Sequence, residues 1–133
     1  MPTNVFINLP VKDLAASQAF FVQLGYSFNP QFTDETAACL VISETIYAML
    51  LTHEKFAQFT KKKVVDASTA TEVLLALSFD SRAEVDELLA KALKAGGNEH
   101  RDPEDHGFMY SRSFEDLDGH IWEVFWMDPA QLV

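Results

Sequence analysis

Apolar and polar residues alternate at the start of the chain. In "VFINLPV" (5–11), Val5, Ile7, Leu9 and Val11 fall on one side of an extended segment, and Phe6, Asn8 and Pro10 on the other. This period of two predicts a strand. Asp13 is placed as an N-cap before a helical stripe of Leu14, Phe20, Phe21 and Leu24, and Gly25 closes the helix. Three short strands are expected next, at about 27–33, 37–42 and 47–52, with turns at Asp34-Glu35 and Ser43-Glu44. Residues 53–71 break the pattern. Two Phe, a basic run and small polar residues predict a short helical turn and then a linker, and a connection of this length is functional or mobile.

The pattern then restarts. "EVLLALSF" (72–79) is apolar almost throughout, as expected of a strand buried on both faces. Ser81 and Glu84 have capping-box spacing. Val85, Leu88, Leu89, Ala92 and Leu93 form an amphipathic helical stripe, which Gly96-Gly97 ends. Strands follow at about 98–102, 108–114 and 121–127, the last two joined by "EDLDG". Strand, helix, three strands therefore occurs twice, as an internal repeat of about half the chain. The expectation is one α+β domain over 1–133, with module 1 at about 1–52, a linker at about 53–71 and module 2 at about 72–133. Each βαβββ module is an open sheet with a helix on its convex face. Two of them together predict a partly closed mixed-sheet barrel around a cavity, with the helices outside, and pockets between modules are common ligand sites.

Composition narrows the class. A chain of 133 residues, 48% apolar with 11 Phe, can build a real core. No stretch approaches the roughly 20 apolar residues of a membrane span. The opening "MPTNVFINLPV" has no basic region before an apolar core, so no signal peptide is expected. The single cysteine, Cys39, excludes an internal disulfide framework and makes no metal cluster alone. A cytoplasmic protein without a membrane partner is expected. The net charge of −10 argues against nucleic acid, and the one basic run, Lys61 to Lys63, reads as a solvated loop.

The candidate chemistry centres on Glu123, a carboxylate in the middle of the apolar strand "IWEVFWM". Alternation groups Ile121, Glu123, Phe125 and Met127 against Trp122, Val124 and Trp126. The tryptophan face is expected under a helix, so Glu123 faces the cavity beside Phe125. There its pKa rises unless a ligand, Arg112 or another internal donor meets it. Tyr110 and Arg112 share one face of "FMYSRSF" and suit a polar or anionic molecule; the opposite orientation turns Ser111 and Ser113 inward. Asn8 shares the Phe6 face as a hydrogen-bonding group. His53 and His100 read as exposed, His120 as a surface turn, and His106 as a solvated turn near the cavity rim. Cys39 reads as a small core residue with no basic neighbour to activate it. No phosphate-binding loop or serine nucleophile elbow occurs.

Three stretches together resemble the vicinal oxygen chelate superfamily of glyoxalase I, bleomycin-resistance and extradiol dioxygenase proteins. "VFINLPVKDLAASQAFFVQLGYSF" is similar to its opening, "SRAEVDELLAKALKAGG" to its second-module helix, and "FEDLDGHIWEVFW" to its closing turn and strand. The likeness covers the chain in the right order. It implies a homodimer and a divalent metal held by the first and last strand of each module, which polarises substrate oxygens. Glu123 matches the final ligand. The other positions fall on Phe6, near Leu50 with neighbours Met49 and Leu51, and near Leu74 with neighbours Val73 and Leu75, none of them a suitable donor. The resemblance thus implies no metal cofactor, and a small organic ligand in a cavity lined by Phe6, Asn8, Glu123 and Phe125, with Tyr110 and Arg112 as polar contacts. Bleomycin-resistance proteins likewise bind a drug without transforming it. Two alternatives stay open. One is a metal-dependent lyase of the lactoylglutathione lyase kind, or a dioxygenase, whose displaced site joins Glu123 to His53, His100 or His106. The other is a protein-interaction module using the acidity, Phe56 and Phe59. No catalytic residue is assigned.

Overall fold

The first half of the repeat forms β1 (Val5–Val11), α1 (Leu14–Gln23), β2 (Ser27–Asn29), β3 (Ala37–Val41) and β4 (Ile46–Thr52). This computed structural model describes residues 2–131; the ends of the expected domain, residue 1 and residues 132–133, lie outside the described residues. The sheet order is β1-β4-β3-β2. β1 runs parallel to β4, which requires the long crossover through α1, and the other pairs are antiparallel. Asp13 Oδ1 accepts the Ala16 N–H at 3.0 Å, and Gly25 leaves the helix with φ +102°. Leu14, Phe20, Phe21 and Leu24 are buried, as are Ala38, Leu40, Ala48 and Leu50 on the strands that α1 packs against, and Leu9 and Val11 on the neighbouring β1. β2 ends sooner than expected. Pro30 has no N–H for the ladder and starts a 3-10 turn, Pro30–Phe32, capped by Asn29. After β4, Thr52 Oγ1 accepts the Lys55 N–H at 3.2 Å and starts the short α2 (His53–Ala57).

The chain divides into two compact units between Val65 and Asp66, inside the expected linker. The second unit holds β5 (Leu74–Phe79), α3 (Arg82–Lys94), β6 (Asn98–Asp105), β7 (Met109–Glu115) and β8 (Ile121–Met127). Its order is β5-β8-β7-β6, with β5 parallel to β8, the same topology as the first. The fold is α+β, built of two βαβββ units whose strands pair as two open sheets and not as one closed barrel. Ser81 Oγ accepts the Glu84 N–H at 3.1 Å and starts α3. Val85, Leu88, Leu89 and Ala92 are buried with Phe114, Trp122 and Val124. The Phe114 and Trp122 rings stack with centroids 6.3 Å apart. No described helix is long and apolar enough to cross a membrane.

Two expectations change. β5 is not buried on both faces: Leu75 is buried, but Leu74, Ala76 and Ser78 are exposed, because α3 covers one side of an edge strand. His120 is not a surface residue but buried in the turn after β7. There Asp116, also buried, uses one carboxylate oxygen for the Asp118 and His120 N–H groups and the other for Trp122 Nε1, each at 3.0 Å. Burial pushes the Asp116 carboxyl up, while His120 and these donors pull it back.

At the start of α3, Arg82 grips Asp105 with two hydrogen bonds of 2.8 and 2.9 Å and lies over the Tyr110 and Trp126 rings. The Arg82 hydrogen bonds, then the Gly107 N–H, hold the Asp105 carboxyl down at about 2. A depressed carboxylate stabilises the fold fully above its unfolded value, near 3.8, and that contribution is lost as pH falls through the folded value. Wild-type protein should therefore lose more stability between pH 5 and pH 2 than Asp105→Asn. Equal losses in urea titrations at the two pH values would remove this pair from the acid response.

Candidate functional site

Register decides what surrounds Glu123. β8 places it opposite Ser113 of β7 and beside Ala76 of β5, with Phe125 opposite Ser111. This is the sheet face away from α3. Arg101 of β6 reaches the same face, because its register partner is Ser113. Arg101 Nη2 donates to Glu123 Oε1 at 2.9 Å and to Ser111 Oγ at 3.3 Å, and Nη1 lies 3.2 Å from Glu104 Oε1. The carboxylate thus meets a guanidinium, but Arg101's and not Arg112's. The match is incomplete: Glu123 Oε2 and Ser113 Oγ are buried without a hydrogen-bond partner among the described residues. Each such atom costs about 1–3 kcal/mol unless something meets it.

Tyr110 and Arg112 do not join Glu123. Their cross-strand partners are Trp126 and Val124, so they lie on the α3 side of the sheet. The Tyr110 hydroxyl donates to Asp86 Oδ1 at 2.6 Å, and Arg112 donates to Asp86 Oδ1 at 2.9 Å and Glu99 Oε2 at 2.8 Å. The Tyr110 hydroxyl, then Arg112, hold the Asp86 carboxyl below its usual range. Both side chains tie the helix to the sheet and are spent on it. Ser111 and Ser113 take the inward orientation instead.

In the first unit, Phe6 is half exposed and stacks on Tyr47, centroids 4.8 Å apart. Asn8 Nδ2 donates to the Phe6 carbonyl at a long 3.4 Å. Its side chain lines a groove of about 400 Å³ with Phe56, Phe59 and Thr60. α2 supplies Phe56, and Phe59 follows one turn later at 70% exposure, with Lys55 Nζ 5.7 Å from its ring centroid. Sequence reasoning left these two aromatics to a linker surface. No local pattern in the sequence marks a groove there.

A family model described as bleomycin resistance protein-like N-terminal matches residues 3–43. No curated protein matches the chain in sequence. Among solved structures, a hypothetical protein of S. aureus is 28% identical over 95% of both chains, with a TM-score of 0.79. A glyoxalase-related enzyme of Fulvimarina pelagi is 21% identical over 95% of this chain and 88% of its own, also at 0.79. The fosfomycin resistance protein FosX of Mesorhizobium loti is 17% identical over 98% and 97%, at 0.69. The chain has the fold of the vicinal oxygen chelate superfamily.

The donors present do not fit the divalent metal that the vicinal oxygen chelate fold commonly holds. Phe6 stands at the first-strand position, and Met49 and Leu51 share its side of the sheet, while Leu50 is buried on the α1 side. In the second unit Leu74 and Ala76 share the side of Glu123. These are carbon side chains and one thioether, where a divalent metal needs polarisable N, O or thiolate S donors. The one carboxylate in place already gives Oε1 to Arg101. Nor do the histidines gather. His53 opens α2, His100 faces Glu115 at 3.5 Å and His106 faces Glu104 at 3.4 Å. Among the described residues no three His, Cys, Asp or Glu side chains group as a metal site. Cys39 is buried, and burial pushes its thiol up, away from the nucleophilic thiolate.

Proposed function

We propose that this protein binds a small organic molecule in the groove of its first unit, without a metal centre. The groove carries the reading. Its volume of about 400 Å³ falls among those of small-molecule sites, roughly 300–1,000 Å³. Two phenyl rings, Phe56 and Phe59, suit a flat apolar ligand, and the Asn8 amide and Thr60 hydroxyl can orient its polar edge. Lys55 beside Phe59 favours a ligand with some negative charge. The carbon side chains at the fold's metal positions support binding without a metal. The matching family model and one solved relative are named for resistance to bleomycin and to fosfomycin, which supports a small-molecule ligand.

Titration with 1-anilinonaphthalene-8-sulfonate, a flat aromatic anion that fluoresces when sheltered, tests the reading. One saturable site per chain is expected. Phe59→Ala should weaken it about threefold to tenfold, since an aromatic contact contributes about 0.5–1.5 kcal/mol beyond its area. Phe59 is exposed, so this variant should fold normally. Unsaturable binding, or an unchanged affinity in the variant, would refute the groove as the site.

A further inference from the structure

We infer that Arg101 is a built-in occupant of a cation site on the second sheet, and that a small planar organic cation, a guanidinium or amidinium, takes its place. This site is built wholly from residues of the second unit, whereas the groove belongs to the first.

Arg101 fills the site incompletely. A guanidinium can grip a carboxylate with two parallel bonds, but here one nitrogen reaches one oxygen of Glu123. The same nitrogen is shared with Ser111, and Nη1 turns away to Glu104 and the Asp102 carbonyl. Glu123 Oε2 and Ser113 Oγ are left buried and unpaired. Ser113 is fully buried, at 0% exposure, and stands directly across from Glu123 in the ladder. A free planar cation, unconstrained by a backbone, can bridge both Glu123 oxygens and offer a further N–H to Ser113.

Arg101 is also placed to leave. It comes from β6, an edge strand, between two register shifts, at Glu99/Arg101 and Arg101/Glu104. Its side chain is 31% exposed against 19% for Glu123. Once released it keeps a counter-ion, because Glu104 is already within 3.2 Å and faces solvent.

Charge fixes the class of the replacement. Without Arg101, the mostly buried carboxylate of Glu123 beside Ile121 and Phe125 would have no counter-ion, which strongly disfavours a neutral occupant. Room exists on the β5 side. Ala76, the register partner of Glu123, is small and exposed, and so is Ser78 beside Phe125. The partly exposed Phe125 ring can meet a cation or an attached aromatic group. The chain's net charge of −10 raises the local concentration of cations.

Calorimetric titration at fixed ionic strength with benzamidinium, methylguanidinium and the neutral isostere benzamide tests the inference. Wild-type protein should bind both cations weakly and benzamide not at all. Arg101→Met removes the competitor and should tighten benzamidinium binding at least tenfold; Glu123→Gln should abolish it. Ser113→Ala keeps the ion pair and should weaken binding severalfold, so the inference can still be judged if Arg101→Met fails to fold. Equal binding of benzamide, no effect of Glu123→Gln, or no binding by wild type together with an ordered water bridging Glu123 and Ser113 in a crystal would each overturn it. Anilinonaphthalene sulfonate binding, measured in parallel, separates a failure here from a failure of the first-unit groove.

Discussion

Gly119→Ala is expected to destabilise the second unit by about 3 kcal/mol, adding the penalty of a left-handed alanine to that of forced overpacking. Gly119 has φ +92°, and a Cβ there would lie 2.7 Å from the Ala67 carbonyl oxygen and 2.8 Å from Ser68 Cα. These are backbone atoms, so no side chain can rotate away. The turn they belong to is itself pinned, because Asp66 Oδ1 accepts from the Ser68 N–H at 2.9 Å and the Ser68 hydroxyl at 2.6 Å. A fall in melting temperature of about 10 °C should result for a domain of this size. Gly25→Ala is the internal control. It has a similar φ, +102°, but nothing within 4 Å of the added carbon, so it carries the backbone penalty alone. Equal melting shifts in the two variants would remove the clash from the explanation.

Asp116→Ala is expected to cost a similar amount, about 3 kcal/mol, by orphaning several buried donors at once. The carboxylate accepts from two backbone N–H groups and from the Trp122 indole, and both Asp116 and Trp122 are buried. Asp116→Asn should fall between the variant and wild type. It keeps one acceptor oxygen but turns an amide N–H toward a donor. Urea unfolding followed by tryptophan fluorescence measures both. A loss below about 1 kcal/mol in the alanine variant would mean that water replaces the carboxylate, as at an exposed cap. The consequence reaches Glu123, because this turn sets where β8 begins. A slip of one residue would send Glu123 to the α3 side and bring Trp122 out.

The sequence made the regular parts of this fold legible where local signals agree. β1 and β8 alternate cleanly, α3 has a clean helical stripe, and Asp13, Gly25 and Ser81 act as their residue types suggest. The face of Glu123 followed from the Trp122–Val124–Trp126 alternation. Its partner did not, because Arg101 lies in "NEHRDPED", which has no apolar alternation and carries two register shifts. Tyr110 and Arg112 alternate with serines, so both faces of β7 look polar, and only Asp86 on α3 and the β8 register settle which way they turn. β5 misled for the opposite reason: an unbroken apolar run reads as buried on both faces, yet burial depends on what covers the strand. The groove of the first unit depends on a chain reversal that brings Phe56 and Phe59 back over Asn8, and no local period encodes that.

The two halves of the repeat also carry different intrinsic reporters. The sole thiol, Cys39, is buried in β3 of the first unit, and both indoles, Trp122 and Trp126, belong to β8 of the second. A thiol reagent therefore times the opening of one half, while emission from the unlabelled protein times the other. A single chain, without tags or engineered probes, can thus reveal whether its duplicated halves melt as one cooperative body or in sequence.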